Sequence, residues 1–508
     1  MPDWFSVSPV RNSASTARCR YPVRLSFGQT RSIGGPLWFF VALSVIGVDL
    51  AIAVWWFRFR RRDRVPGNPA AIADPYVPTD DGVRSEQLKT IAALRDSGAL
   101  TEAEVKAEKC RILGGRERPR LAGVKAVSCS HGTLSVVDLP DPRPGVGQLI
   151  LDVRACGICG SDLHAKDHAD ELTDVMDTLG YPDFMRRETP TVMGHEFCGV
   201  ITERGRKTPR KLREGMTVVS FPLVRSHGAV QLTGLSPLAP GGYAERVLVE
   251  ASLTFPVPNG LPADIAALTE PMAVALHAVR RADVKKGDTA IVLGCGPVGL
   301  GVICQLKAAG VGTVIASDFS PARRDLARRC GADIVVDPAV DSPYRKITAK
   351  GVITDAPQLY ELALSSMGKL RRLPGWSHVY RAADAAGAAG PKRPVIFECV
   401  GVPGMIDGVM ADAPLNSRIV VVGVCMGADR IRPTMALAKE LDVRFVFGYT
   451  PLDFYDSLHM LADGKLEATP LITGKVGLDG VAGAFTALGD PETHAKVIID
   501  PRSAAELS

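Results

Sequence analysis

An α/β architecture, in which a doubly wound parallel sheet is joined to a second, β-rich domain, is written into two stretches of this 508-residue chain. The segment DTAIVLGCGPVGLGVICQLKAAG, residues 288–310, reads as strand, glycine turn, then helix, and VGTVIASD follows as a second strand. Residues 121–155 instead alternate apolar and polar positions between Pro and Gly turns, as antiparallel strands do. Composition agrees with a globular protein: 46% of residues are apolar and 23% charged, which excludes wholesale disorder and fibrous repeats. Eleven cysteines are too few and too odd in number for a disulfide scaffold, so a reduced compartment with thiols free to bind metal is expected.

The chain begins differently from how it continues. Its net charge of +5 is concentrated in residues 1–64, which hold ten Arg, no Lys, no Glu and three Asp. The remainder is slightly acidic, so charge gives no argument for a nucleic-acid partner. Residues 36–57, PLWFFVALSVIGVDLAIAVWWF, carry Asp49 as their single charge. A helix of about 20 such residues crosses a ~30 Å hydrocarbon core. Trp38 lies at one end and Trp55 and Trp56 at the other, where interfacial rings belong, and Arg58, Arg60, Arg61, Arg62 and Arg64 follow. The expectation is a basic tail (1–34), a transmembrane helix (35–57), and a Pro-rich linker (58–84), with the enzyme-sized remainder in the cytoplasm. A cleavable secretory signal fits less well, because no small-x-small cleavage site precedes the arginines. In residues 85–115, Ser85 caps one helix and Thr101 with Glu104 boxes the start of a second. This pattern resembles the short C-terminal domain (SHOCT) family, which implies a partner-binding or oligomerisation hairpin; a plain helical spacer is the competing reading.

Chemistry concentrates after residue 120. Cys156-Gly157-Ile158-Cys159-Gly160-Ser161-Asp162-Leu163-His164 is followed by Gly194-His195-Glu196-Phe197. Thiolate, imidazole and carboxylate are the ligand types of a catalytic zinc with one position left open. The C-x-x-C pair could equally be half of a structural zinc or redox motif. The other half is missing, since no cysteine occurs between Cys198 and Cys295.

The glycine turn Gly294, Gly296, Pro297, Val298, Gly299 makes G-x-G-x-x-G after the apolar run 290–293. Gly294 permits the tight turn, Gly296 lets backbone approach a pyrophosphate, and Gly299 lets helix and strand pack closely. The helix N-terminus offers free N–H groups to the anion. Asp318, nineteen residues beyond Gly299, stands where an acid accepts the adenosine-ribose hydroxyls. Its charge repels a 2′-phosphate, which favours NAD(H) over NADP(H).

Taken together, C-G-I-C-G-S-D-L-H, G-H-E-F, Thr269-Glu270-Pro271 and the later strings VIFECVG, IVVVGV and HAKVIIDP resemble the zinc-dependent medium-chain alcohol dehydrogenases over about residues 121–501. The resemblance is to the polyol and threonine dehydrogenase branch. It implies a GroES-like catalytic domain split across 121–277 and 435–508, flanking a Rossmann domain at 278–434. It further implies Cys159 and His195 as zinc ligands, with Glu196 or Glu270 completing the shell. Asp162 would orient the His195 ring, Ser161 and His164 would relay the proton, and Arg323 would lie beside the adenosine ribose. The substrate would be a small alcohol or its carbonyl product, a secondary alcohol or polyol, and the assembly a dimer or tetramer. The four-cysteine structural lobe of the family is absent, residues 220–241 taking its place, so one catalytic Zn2+ and no structural zinc is expected. Two insertions depart from the family: residues 168–188, expected to reshape the substrate mouth, and residues 341–392, read as a solvated excursion. The reading from another functional class is a membrane-bound interaction protein with a silent dehydrogenase domain.

Overall fold

A computed structural model describes residues 123–387 and 390–506. The expected tail, membrane helix, linker and SHOCT-like hairpin all lie outside the described residues. Among the described residues, no helix is long and apolar enough to cross a membrane.

The β-rich part opens with β1 (Val124–Ser130) and β2 (Thr133–Leu139), paired antiparallel. It continues through β3 (Gln148–Gly157), helix α1 (Gly160–Thr178), β4 (Thr191–Val192) and β5 (Glu196–Arg204). Then come β6 (Thr217–Ser220), the hairpin β7 (Leu223–Ser226) and β8 (Ala229–Leu232), β9 (Arg246–Glu250) and β10 (Thr254–Pro256). Long β3 is the spine, pairing with β5 on one side and β9 on the other. Its residues are buried almost throughout, which is why it reads LILDVRACG rather than as a clean alternation.

After α2 (Ala263–Ala267) and α3 (Thr269–Ala282) the chain changes style. β11 (Thr289–Leu293), α4 (Pro297–Ala308), β12 (Thr313–Ser317), α5 (Pro321–Arg329) and β13 (Ile334–Val336) form the first wound half. Helices α6 (Ala356–Leu370) and α7 (Trp376–Ala385) intervene. The second half is β14 (Val395–Glu398), α8 (Met405–Asp412), β15 (Arg418–Val421), α9 (Pro433–Lys439) and β16 (Asp442–Phe445). All six strands are parallel, in the order β13-β12-β11-β14-β15-β16, so the strand order reverses at β11/β14. That switch point opens a crevice beyond the strands' carboxyl ends. Gly294 there has φ +85°, and a Cβ on Gly299 would lie 1.9 Å from the Gly294 carbonyl oxygen, so no other residue fits the turn.

The expected boundary at residue 434 is corrected by this sheet. β16 pairs with β15 through Arg418↔Asp442 to Val421↔Phe445, so the nucleotide-binding unit extends past 434. Only after α10 (Pro451–Ala462) does the chain return to the β-rich part, with β17 (Ile472–Val476), α11 (Val481–Leu488) and β18 (Lys496–Ile499). β18 pairs with the end of β3, setting Ile498 opposite Gly157 and Ile499 opposite Cys156. One apolar core runs across both parts, from Ala155, Cys198 and Val219 to Val292, Val314 and Phe397. Phe221 and Phe255 also pack at a tilt against Phe454 of α10, with centroids 5.7 and 5.9 Å apart. Such pairs contribute about 0.5–1.5 kcal/mol each beyond buried area.

Candidate active site and metal centre

Strand register brings the cysteine and histidine strings together. Cys159 caps α1 directly beyond β3, and His195 immediately precedes β5, the antiparallel neighbour of β3. Cys159 Sγ, a His195 ring nitrogen and a Glu196 carboxylate oxygen all lie within 4.8 Å of one another. His195 and Glu196 are buried, and Cys159 is half-buried. Cys156, its side chain turned into the β-rich core, takes no part.

Asp162, wholly buried in the first turn of α1, organises this cluster. Its Oδ2 accepts the Cys159 backbone N–H at 2.9 Å and the Tyr243 hydroxyl at 2.7 Å. Its Oδ1 lies 3.3 Å from His195 Nδ1, and neither of those atoms has a hydrogen-bond partner elsewhere. Burial opposes ionisation of Asp162, but His195, Tyr243 and the Cys159 amide outweigh it and hold the carboxyl below its usual range. Burial likewise opposes a charged His195, and Asp162 and Cys159 outweigh it, lifting the imidazole well above its usual range. The other ring nitrogen, Nε2, has the Ser161 hydroxyl at 3.4 Å. His164 sits one turn beyond Ser161 on the same side of α1, its basicity lowered by burial and by nearby His168. Among the described residues no hydrogen bond joins Ser161 to His164.

Glu196 has a partner that the sequence reading missed. Lys496, in β18, is wholly buried and donates to both Glu196 oxygens at 2.7 Å and to the Ile158 carbonyl at 3.0 Å. Glycine at 157 makes room, because a Cβ there would sit 2.0 Å from Glu196 Oε2. The available signal was a lone Lys in the apolar run AKVII, and Tyr243 carried none. Glu270, in the first turn of α3, stands outside the three-residue group although it too is buried. Burial pushes its carboxyl up to about 7, against the pull of His195.

The glycine-turn residues collect at the switch-point crevice. A cleft of about 900 Å³ is lined by Gly294, Gly296, Asp318, Arg323, Tyr344 and Met405 among others. Gly296 precedes the first turn of α4, with Pro297 and Val298 as its opening residues. Asp318 is aimed by two backbone amides, Cys295 N–H to Oδ2 at 2.7 Å and Ser320 N–H to Oδ1 at 2.8 Å. Arg323 follows on α5, its Nε buried without a hydrogen-bond partner.

Both parts of the fold have counterparts among known proteins. Residues 145–259 match the alcohol dehydrogenase GroES-like domain, and residues 297–463 match the zinc-binding dehydrogenase domain. The chain is 31% identical to (R,R)-butanediol dehydrogenase of Bacillus subtilis over 386 residues, covering 72% of this chain and 96% of that one. Against bovine sorbitol dehydrogenase the identity is 27%, covering 70% and 89% respectively. The crystal structure of 2R,3R-butanediol dehydrogenase from Bacillus subtilis superposes with a TM-score of 0.57 at 29% identity, covering 75% of this chain and all of the other.

Proposed function

This chain belongs to the zinc-binding medium-chain alcohol dehydrogenases, and from that premise we propose that it interconverts a secondary alcohol or polyol and its carbonyl product with NAD(H). The observation that carries the reading is the mutual approach of Cys159, His195 and Glu196 within 4.8 Å. The donor set fits the ion: thiolate sulfur, imidazole nitrogen and carboxylate oxygen are the zinc-binding atoms of catalytic sites. The cleft fits the dinucleotide, with amides at a helix N-terminus, an aimed carboxylate and an orphaned guanidinium nitrogen.

Cys159 and His195 hold the metal, Glu196 contributes the third ligand, and Glu270 faces the same region as the alternative. When bound, zinc supplies Lewis-acid stabilisation of the alcohol oxygen, and the nicotinamide supplies the hydride acceptor. The chain's own part is orientation and proton traffic. Asp162 fixes His195 Nδ1 so that Nε2 is presented to the metal. The Ser161 hydroxyl accepts the substrate proton beside Nε2, and His164, kept neutral by burial, takes it outward. In the cleft Asp318 accepts the adenosine-ribose hydroxyls and Arg323 flanks them.

Three further assignments belong to this reading. The enzyme carries one zinc, because residues 220–241 supply no cysteine. It assembles with a second copy through the open edge of β16, where Phe445 and Phe447 are 66% and 88% exposed. Residues 35–57 tether it to a membrane with the enzyme in the cytoplasm, and residues 85–115 form the SHOCT-like hairpin. Purified protein is to be assayed for bound zinc and for NAD-dependent turnover of vicinal diols, polyols and simple secondary alcohols. Cys159→Ala should lose zinc and turnover together; full activity without Cys159 defeats the assignment.

A further inference from the structure

Helices α6 and α7 are an anomaly of burial. No residue of either helix is buried, although together they form a hairpin inserted between β13 and β14. The neck is firm: the Lys392 N–H donates to the Gly351 carbonyl at 2.8 Å, and the Leu415 N–H donates to that of buried Ile353 at 2.9 Å. Beyond the neck, large apolar side chains stand in water. Tyr360 is 65% exposed, Leu364 73%, Leu373 50% and Trp376 36%, with Val379 and Tyr380 beside them in the sequence and also exposed. Helices this short are marginal in water without a surface to cover their apolar side. Singly exposed apolar residues need no explanation, but Tyr360 and Leu364 lie one turn apart on α6, and Trp376, Val379 and Tyr380 lie within one turn of α7, and such clustering within one excursion marks an interaction site.

Charge selects the partner. Residues 355–393 hold six Lys or Arg against three Asp or Glu, and Lys369, Arg371 and Arg372 crowd the turn between the helices. A second copy would set two such cationic hairpins against each other. The segment 85–115 has five acidic and five basic residues, so it brings no complementary charge. A Trp/Tyr/Leu surface rimmed by Lys and Arg is instead the composition that beds into a headgroup layer.

We propose that the α6–α7 hairpin docks the catalytic unit onto an anionic lipid surface, its Tyr360, Leu364, Leu373 and Trp376 side chains entering the interface and Lys369, Arg371 and Arg372 meeting lipid phosphates. The site does not depend on the apolar segment 36–57, and its test removes that segment. Residues 117–508 form a compact unit, and the butanediol dehydrogenase relative matches over 96% of its own length within 72% of this chain, so that unit stands without the N-terminal part. Of the five tryptophans only Trp376 remains in it, so its fluorescence reports the hairpin alone.

Residues 117–508 are mixed with phosphatidylglycerol-containing vesicles and, separately, with pure phosphatidylcholine vesicles, following Trp376 emission and cosedimentation. The expected result is a blue shift and pelleting with the anionic vesicles, weakened by salt. The triple variant Lys369→Glu, Arg371→Glu, Arg372→Glu should bind on the order of a hundredfold more weakly, at about fivefold per basic residue, with alcohol turnover unchanged. The variant Tyr360→Ser, Leu364→Ser, also with normal turnover, should bind less without changing salt dependence. No shift with anionic vesicles, equal binding to phosphatidylcholine, or a shift that follows protein concentration alone (the mark of self-association) overturns the proposal.

Discussion

Lys496 Nζ lies 2.7 Å from each carboxylate oxygen of Glu196, the two residues standing 300 positions apart in the chain with neither side chain exposed. Burial works to discharge the ammonium, and the Glu196 carboxylate outweighs it, holding Lys496 above its usual range. Lys496 thus holds the ligand pocket together electrostatically when no cation does.

Replacing that ammonium should therefore matter most without metal. Lys496→Met strands a buried carboxylate, at a cost of about 3–5 kcal/mol. Zinc should recover part of it, because a divalent ion then answers the Glu196 charge. Urea unfolding of wild type and variant, each with chelator and with zinc, measures this. Equal losses in both conditions would show that Lys496 acts by packing alone.

Asp162→Asn keeps the shape of the side chain and removes its charge. His195 then loses the anion that fixes its ring, and the Tyr243 hydroxyl and the Cys159 amide lose a strong acceptor. Zinc affinity should fall by roughly 10–100-fold, the range seen when partners of metal ligands are removed. Competition with a chromophoric chelator reads the affinity directly, and Tyr243→Phe should show a smaller loss.

Glu270 gives zinc-free protein a pH signature. Its carboxyl is lifted from 4.5 to about 7, so between those values the folded form keeps a proton that the unfolded chain has released. The stability it contributes is complete below the lower value and lost as pH rises through the higher one. Glu270→Gln removes the dependence. Its stability relative to wild type should rise by about 2–3 kcal/mol between roughly pH 5 and pH 8. Denaturant unfolding in chelator across that interval checks the sign.

What was legible in the sequence was local. Cys159, Ser161 and Asp162 share one helical turn, and Gly294 to Gly299 share one strand-to-helix turn, so spacing alone implied their geometry. Lys496 and Tyr243 were not legible, because each reaches the site through pairing set far along the chain: β18 on β3 for Lys496, and the Tyr243 N–H on the Met193 carbonyl for Tyr243. β16 was assigned to the wrong unit because Asp442 and Arg444 disguise a short edge strand as surface. The α6–α7 hairpin was read as solvated from its Arg and Lys, which hid the exposed apolar side chains alternating with them.

The lobe at residues 220–241 yields the last prediction. It holds a hydrogen-bond network around Gln231, which is wholly buried. The Tyr181 hydroxyl donates to Gln231 Oε1 at 2.8 Å and accepts the Leu232 N–H at 2.9 Å. Ser236 Oγ donates to the same Oε1 at 3.1 Å, and Gln231 Nε2 donates to Asp183 at 2.8 Å. Every polar atom of the amide that ties the β7–β8 hairpin to residues 181–183 therefore has a neutral or anionic partner on the chain, and a second zinc has no thiolate to bind there. Gln231→Ala leaves Tyr181 and Ser236 without their acceptor and should cost about 1–3 kcal/mol. Hydrogen exchange should quicken in β7–β8 and not in β11–β15. Elemental analysis should return one zinc per chain for variant and wild type alike, and two per chain in the wild type would refute the metal-free account of this lobe.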